Sequence, residues 1–233
     1  VVTFNDGRLI PQTFEGAQIT SNEIDNLTLV AGQLEHAKGR TSSDADSLSI
    51  ARNGGLSDIP VADSNKFYYG GADYKVSKDL LVQYYYGNLD DFYKQHFLGL
   101  THTLALGAGS LKSDLRYFDT SSDGKNGSAS GRADGYIGGG YWNGGRSNSD
   151  FGEVDNRTWS AMFTYSLEGH ALSAGYQQVS GDSNFTQLNQ GSIPGQGGAT
   201  TYLITDRQIS NFGRAGERTW ITQYGYDFGK IGV

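Results

Sequence analysis

The segment Leu111-Lys112-Ser113-Asp114-Leu115-Arg116-Tyr117-Phe118 decides the fold class, because its side chains alternate in character. Leu, Ser, Leu and Tyr take the odd positions, and Lys, Asp, Arg and Phe take the even ones. Successive side chains of a β-strand point to opposite faces, so one face is mostly apolar and the other carries three charges. A charged face must meet water or charged partners. The segment therefore predicts a strand of a solvated sheet or of a membrane barrel with a wet lumen.

Similar segments follow one another along the chain, separated by turn-forming residues. We predict about ten strands, with no convincing helix, no repeat of fixed period and no domain break. The predicted strands cover 17–20, 27–32, 49–52, 67–75, 80–88, 92–106, 111–118, 158–166, 170–179, 201–210 and 218–228.

The composition suits strands with one polar face. The chain has 233 residues, a net charge of −7, 36% hydrophobic residues and a mean hydropathy of −0.49. A soluble core normally needs more apolar residues than this. The acidic balance argues against nucleic acid as a partner, and no apolar run reaches the roughly 18 residues of a membrane-spanning helix. The absence of cysteine fits passage through an oxidising periplasm.

The predicted connections alternate between short and long. Short turns lie near 76–79, 105–110, 167–169 and 229–232, and long polar loops lie near 36–48, 119–155 and 181–200. Outer-membrane barrels have short periplasmic turns and long external loops. Aromatic residues towards strand ends, among them Tyr117 and Trp220, fit the interfacial belts of such a barrel. We predict an all-β, transmembrane antiparallel β-barrel in the bacterial outer membrane, in contact with lipid and lipopolysaccharide.

We treat residues 1–233 as a single β-barrel domain. The chain opens at Val1-Val2-Thr3 and ends at Lys230-Ile231-Gly232-Val233, with no signal peptide. We therefore expect a middle segment of about ten strands, incomplete at both ends.

The sequence offers no catalytic or metal-binding constellation, and we expect no cofactor. Asp119-Thr120-Ser121-Ser122-Asp123-Gly124 resembles the start of a calcium loop, but Ser130 stands where the twelfth-position acid belongs, so we predict a solvated loop. None of the four histidines has the spacing of a zinc motif. His96 and His102 share one strand face and are predicted to be interfacial or lumenal.

Charged residues in polar loops and on polar strand faces are the candidate substrate path. The stretch 5–16 is predicted to be a loop that narrows the pore. Arginine in a confined aqueous passage can bind carboxylates through two hydrogen bonds and set an anion preference. The alternative is a set of surface ion pairs worth less than about 1 kcal/mol each. The candidate path residues are Asp6, Arg8, Gln12, Arg40, Arg116 and Asp206.

Several runs resemble one family, the OprD-type outer-membrane carboxylate channels of pseudomonads. The resemblance rests on 7–13 (GRLIPQT), 31–34 (AGQL), 89–95 (LDDFYKQ), 175–182 (GYQQVSGD) and 216–220 (GERTW), which follow in order over nearly the whole chain. The stretch 70–133 looks most like the branch of vanillate and benzoate channels (OpdK-like).

The resemblance implies a monomeric barrel of about 18 strands, in which inward-folded loops narrow the pore and basic residues lead carboxylates through it. Arg8 matches the ladder arginine of the family's constricting loop, and Arg40 resembles a second rung. The segment 187–200 matches the second pore-narrowing loop. Ala199 stands where the basic-amino-acid branch carries an Asp, which favours plain or aromatic carboxylates over arginine-like substrates.

The resulting hypothesis is a non-enzymatic, substrate-preferring porin that passes small carboxylates by passive diffusion. Two alternatives stay open. A barrel enzyme of lipase or protease type would need an outward-facing Ser/His/Asp set, and a soluble β-sandwich adhesin or binding module would not need detergent for extraction.

Overall fold

The computed structural model describes residues 12–39, 43–50, 62–138, 151–190, 203–205 and 212–231. Its strands are β1 Thr13–Ile24, β2 Leu27–Lys38, β3 Leu48–Ile50, β4 Phe67–Lys75, β5 Leu80–Leu89, β6 Tyr93–Leu106, β7 Gly109–Ser122, β8 Asp155–Leu167, β9 His170–Gly181, β10 Leu188–Gln190 and β11 Arg218–Tyr226. The helical pieces are α1 Ala129–Ala133 and two 3₁₀ turns, Gly124–Gly127 and Phe228–Ile231.

Nine strands form one antiparallel sheet in the order β1-β2-β4-β5-β6-β7-β8-β9-β11. Strands that are adjacent in this sheet follow one another along the chain, except that β3 and β10 are skipped. These two strands pair with each other as a separate two-stranded sheet. The prediction of an all-β antiparallel architecture with about ten strands is confirmed.

The two faces of the large sheet differ as the alternation predicted. On the outer face of β7, Leu115 and Tyr117 are exposed, and Trp159 and Phe163 of β8 are exposed beside them. On the opposite face, Phe118 is buried. Exposed apolar side chains on one whole face of a sheet suit a lipid environment rather than water.

Aromatic residues mark two levels of the outer face. The rings of Trp159, Tyr176 and Trp220 contact one another across β8, β9 and β11 in a tilted arrangement, with centroids 5.3 and 4.7 Å apart. Towards the other end of β8, the Tyr165 hydroxyl donates to the carbonyl oxygen of Leu106 at 3.2 Å. Six residues of strand separate Trp159 from Tyr165, or about 20 Å, close to the roughly 25 Å apolar band of outer-membrane barrels.

The connections also alternate as predicted. One end of the sheet carries the tight turns, at 25–26, 76–79, 107–108 and 168–169. Asn26 and Gly107 adopt positive φ there, at 65° and 60°, which Asn and Gly tolerate well. The other end carries the three long connections, 39–66, 123–154 and 182–217, and one short exception, 90–92 between β5 and β6.

A hydrophobic core fills the long-loop end of the sheet. It joins the strand ends to loop residues, so the long connections are packed against the sheet there. Its buried members are Ala37, Leu48, Ile50, Phe67, Tyr69, Leu89, Phe92, Tyr93, Val154 and Leu188.

Four local predictions were wrong. Thr13–Gly16, predicted as part of a pore-narrowing loop, begins β1, and the predicted solvated loop from Asp119 begins as strand, since β7 continues to Ser122. The long loop that follows contains a helix, α1, where none was expected. Within the strand predicted over 201–210, the described residues 203–205 form a buried turn instead.

Each error has a physical cause. Thr13–Glu15 and Asp119–Ser122 find neighbouring strands to pair with, which polar character does not prevent. The short helix α1 is capped by the Ser128 hydroxyl, which accepts from the Gly131 amide at 3.1 Å. Leu203 and Ile204 suggested a strand because they are apolar, but their side chains are buried in a loop. Among the described residues, no helix has the length and apolar character to cross a membrane.

Candidate functional site

The face opposite the exposed aromatics, called here the loop-side face, carries a row of polar residues at one level. Strand register places one member on each strand from β4 to β9, because directly paired residues share a face. The row runs Asp73, Gln83, Gly99, Arg116, Ser160 and Gln177. Five of these six residues have polar side chains and the sixth is glycine, a composition that suits the wall of an aqueous passage.

The last long connection folds back over this face. A Cβ placed on Gly175 would lie 3.2 Å from Cδ1 of Ile204, so the loop packs directly against β9. The fully buried Gln177 donates from Nε2 to the carbonyl oxygen of Phe212 at 3.0 Å. These two contacts hold both described parts of the connection beyond residue 202 against the wall.

The first part of the same connection lies over β6 and β7. Phe185 meets the ring of Phe118 edge to face at 5.0 Å, and Gln95 donates to the carbonyl oxygen of Thr186 at 3.4 Å. Leu188–Gln190 then pairs with Leu48–Ile50 of the first long connection. Two long connections therefore meet at the loop-side face.

Arg116, a predicted path residue, lies on the loop-side face and is half-buried. Its Nε and one terminal nitrogen donate to the two carboxylate oxygens of Asp114 at 2.8 and 2.7 Å. This two-bond geometry is the strong form of an arginine–carboxylate pair. Asp114 therefore compensates much of the charge that Arg116 would offer to an anion.

Lys112 lies two residues before Asp114 on the same face and is exposed. It makes no ion pair with the described residues. Thr103 and Thr164 are its directly paired neighbours on the two adjacent strands.

Gln12 is buried, at 2% exposure, and neither atom of its amide group has a hydrogen-bond partner. It stands immediately before β1, at the long-loop end of the sheet. The remaining predicted path residues, Asp6, Arg8, Arg40 and Asp206, lie outside the described residues. The predicted second pore-narrowing loop, 187–200, is described as far as residue 190.

Ion pairs of Lys125 and Arg132 help to hold the long connection 123–154 in place. Lys125 lies 3.0 Å from Asp91 and donates to the Tyr136 hydroxyl at 3.0 Å. These hydrogen bonds, first that to Tyr136 and then that to Asp91, raise the pKa of Lys125. Arg132, almost fully buried, pairs with Glu153 at 3.1 Å. This loop is thus fixed to the rim of the wall.

The histidines do not form a metal site. No group of three or more His, Cys, Asp or Glu side chains in the described ranges is arranged to hold a metal ion. His96 lies on the outer face, where its Nδ1 is 2.9 Å from the Tyr84 hydroxyl. It is therefore interfacial rather than lumenal.

Sequence reasoning missed several members of the polar row. Asp73, Ser160 and Gln177 were not singled out, although strand alternation opposite Tyr74, Trp159 and Tyr176 was a signal that could have found them. The alternation of side chains along a strand does not predict the loop that covers these residues.

A wall with an apolar outside, a polar inside and loops folded against that inside defines a membrane channel protein. The model of the OprD family, described as "outer membrane porin, OprD family", matches residues 1–233. The chain belongs to this family of outer-membrane porins, which are not enzymes, and its location is the outer membrane.

Comparisons with individual relatives agree with this family assignment. The chain is 29% identical to the porin-like protein GalP of Pseudomonas putida, over 100% of this chain and 48% of that protein. It is 28% identical to porin D of Pseudomonas aeruginosa, over 97% of this chain and 45% of that protein. It superposes on the crystal structure of P. aeruginosa OccK8 (OprE) with a TM-score of 0.90 and 62% identity, over 100% of this chain and 57% of that one. The chain thus spans about half the length of the curated relatives it matches.

Proposed function

We propose that this chain forms part of the wall of a porin that passes small carboxylates, with aromatic or cyclic ones favoured, by passive diffusion. Arg8 and Arg40 act as successive weak sites for one carboxylate. Binding at each is strong enough to draw the anion in and weak enough to release it. Asp6, Arg116 and Asp206 line the same path, and Gln12 is buried beside it.

The observation that carries this proposal is the loop-side face itself. Its polar row crosses six strands, and the last long connection is held against it through Gln177. A narrowed polar passage brings a solute within reach of wall charges, which a wide water-filled pore does not. Selective passage of small solutes follows from that narrowing.

The preference for anions rests on the cations of the path. Lys112 is exposed on the loop-side face, and Arg8 and Arg40 belong to the stretches that resemble the family's basic ladder. Asp114 weakens the contribution of Arg116, so we assign the larger share of carboxylate binding to Arg8 and Arg40.

A pore needs a closed wall. β1 and β11 stand at the two ends of the strand order in the described part of the sheet. An unpaired strand edge is not tolerated in a lipid bilayer. The proposal therefore concerns a single-domain, monomeric barrel in which further strands pair with these two edges.

Within the family, we propose the branch that resembles vanillate and benzoate channels. The support is the stretch 70–133 and the presence of Ala199 in place of an acid. The two alternative functions have less support: the relatives are porins, which argues against a barrel enzyme, and an outer-membrane family argues against a soluble sandwich.

The test is planar-bilayer recording with the channel purified from outer membranes. Benzoate is compared with benzyl alcohol, a neutral molecule of similar size, and with acetate. We expect benzoate to interrupt the ionic current in a concentration-dependent manner, acetate to do so more weakly and benzyl alcohol not at all. Equal effects of benzoate and benzyl alcohol would contradict carboxylate recognition.

A further inference from the structure

The polar row contains an acid that no described cation pairs with. Asp73 of β4 is half-buried on the loop-side face and accepts two hydrogen bonds, from Gln83 Nε2 at 2.8 Å and from the Tyr85 hydroxyl at 2.9 Å. Both go to Oδ1. The second oxygen, Oδ2, has no hydrogen bond or ion pair with any described residue, Lys75 on the same face included.

Two glycines shape this arrangement. Gly71 pairs directly with Tyr85, and a Cβ on Gly71 would collide with the tyrosine ring, which therefore lies over β4 with its hydroxyl at Asp73. Gly99 is the neighbour of Gln83 on the other side, and a Cβ there would lie 3.0 Å from Gln83 Oε1. The absence of side chains at both positions lets the two donors converge on one carboxylate oxygen.

The donors fix the carboxylate without neutralising it. An amide and a phenol are neutral donors, so they set the orientation of the Asp73 side chain without bringing a positive charge to it. Asp114, on the same face, is different, because Arg116 occupies both of its oxygens. Of these two acids, Asp73 is the one with an oxygen available to a solute.

The Oδ2 atom of Asp73 can accept a hydrogen bond from a charged donor. A carboxylate in a confined aqueous space binds an ammonium group through a charge-assisted hydrogen bond, which is stronger than one to a neutral donor. Asp73 and Arg116 are separated by three strand spacings, or about 14 Å along the wall. Asp73 and the basic residues therefore act on a passing solute from different parts of the passage.

We propose that Asp73, oriented by Gln83 and Tyr85, is a binding site for the ammonium group of zwitterionic carboxylates. This rests on the proposed carboxylate channel and extends it. The basic residues attract the carboxylate of such a solute, and Asp73 holds its ammonium group. The wall thereby supplies an acid although the loop position at Ala199 does not.

The test compares two solutes that differ in one group. Phenylalanine carries an ammonium group that 3-phenylpropionate lacks. We record single-channel current interruptions by each in the wild-type channel and in Asp73→Asn, which keeps the shape of the side chain. We expect phenylalanine to stay up to about fivefold longer than 3-phenylpropionate, the upper end for an exposed ion pair, and Asp73→Asn to remove that difference.

Two further variants separate the site from general charge effects. Asp119→Asn makes the same change on the outer face and should leave the ratio of residence times unchanged. Tyr85→Phe keeps the acid and removes one donor, and should shorten the phenylalanine events in part.

Equal residence times in the wild type, or a ratio that Asp73→Asn leaves intact, would overturn the ammonium site. A lack of interruptions by 3-phenylpropionate would instead contradict the carboxylate channel, and the phenylalanine events alone would then decide whether Asp73 binds ammonium groups.

Discussion

Gln177 of β9 is fully buried and donates from Nε2 to the carbonyl oxygen of Phe212, 3.0 Å away. One side chain of the wall thus holds the last long connection where it returns to the sheet. The bond is local in space but joins residues 35 positions apart in the chain.

Gln177→Leu keeps the approximate size of the side chain and removes the donor. The Phe212 carbonyl loses this hydrogen bond, which contributes about 1 kcal/mol. We expect a noisier and larger single-channel conductance, because the loop is held less firmly over the passage. Gln178→Leu is the matched control, since Gln178 lies on the outer face; equal effects of both changes would refute the anchoring role.

Asp114→Asn removes the charge that compensates Arg116. A unit charge acts on an anion 4 Å away with about 1 kcal/mol in water-like surroundings, so we expect a stronger preference for anions. Reversal potentials in a salt gradient measure this, and the shift should shrink at high salt because screening increases. A similar shift in Asp119→Asn would show that position on the loop-side face does not matter.

The architecture could be predicted from the sequence because each long strand carries its own two-faced pattern. The bounds of β4, Phe67–Lys75, match the prediction, and the exposure of Leu115 and Tyr117 follows from alternation alone. Local sequence suffices here, since a strand in a barrel wall meets lipid on one side and water on the other.

The interior could not be predicted in the same way. The pairing of Leu48–Ile50 with Leu188–Gln190 joins three-residue strands that are far apart in the chain, and neither has a distinctive pattern. Asp73 looks like any polar residue of an alternating strand until the register brings Gln83 and Tyr85 to it. Long-range contacts of this kind cannot be predicted from the periodicity of a single strand.

The orientation of β8 in the membrane has a direct test. Phe163 is exposed on the outer face between the two aromatic levels, and Thr164 lies on the loop-side face. We expect Phe163→Arg to destabilise the folded barrel by about 2–3 kcal/mol, since a cation there faces hydrocarbon. Thr164→Arg should cost much less and change ion preference instead. Urea unfolding in lipid vesicles measures both, and equal losses would contradict the assigned faces.

The fixed loop at the rim depends on Asn126. Its side chain donates to the carbonyl oxygens of Tyr136 at 2.8 Å and Gly152 at 2.7 Å, and its Oδ1 accepts from the Val154 amide at 2.8 Å. Asn126→Ala removes three buried hydrogen bonds, worth about 3 kcal/mol together.

We expect protease cleavage within 123–154 to become much faster in Asn126→Ala while the barrel stays folded. Ser130→Ala, at an exposed position of α1, is the control and should leave the cleavage rate unchanged. Unchanged protection in Asn126→Ala would mean that the ion pairs of Lys125 and Arg132 are enough to hold the loop.

We propose that arginines of the path draw carboxylates through the channel. The most direct measurement is benzoate uptake into vesicles together with the reversal potential, for wild type, Arg8→Ala and Arg40→Ala. Arg157→Ala is the control, because Arg157 is exposed on the outer face beside Asp119 and Asp155, at 3.7 and 3.5 Å. We predict lower benzoate uptake and a weaker anion preference in the first two variants, with Arg157→Ala like wild type. Wild-type uptake and reversal potential in both Arg8→Ala and Arg40→Ala would contradict the account.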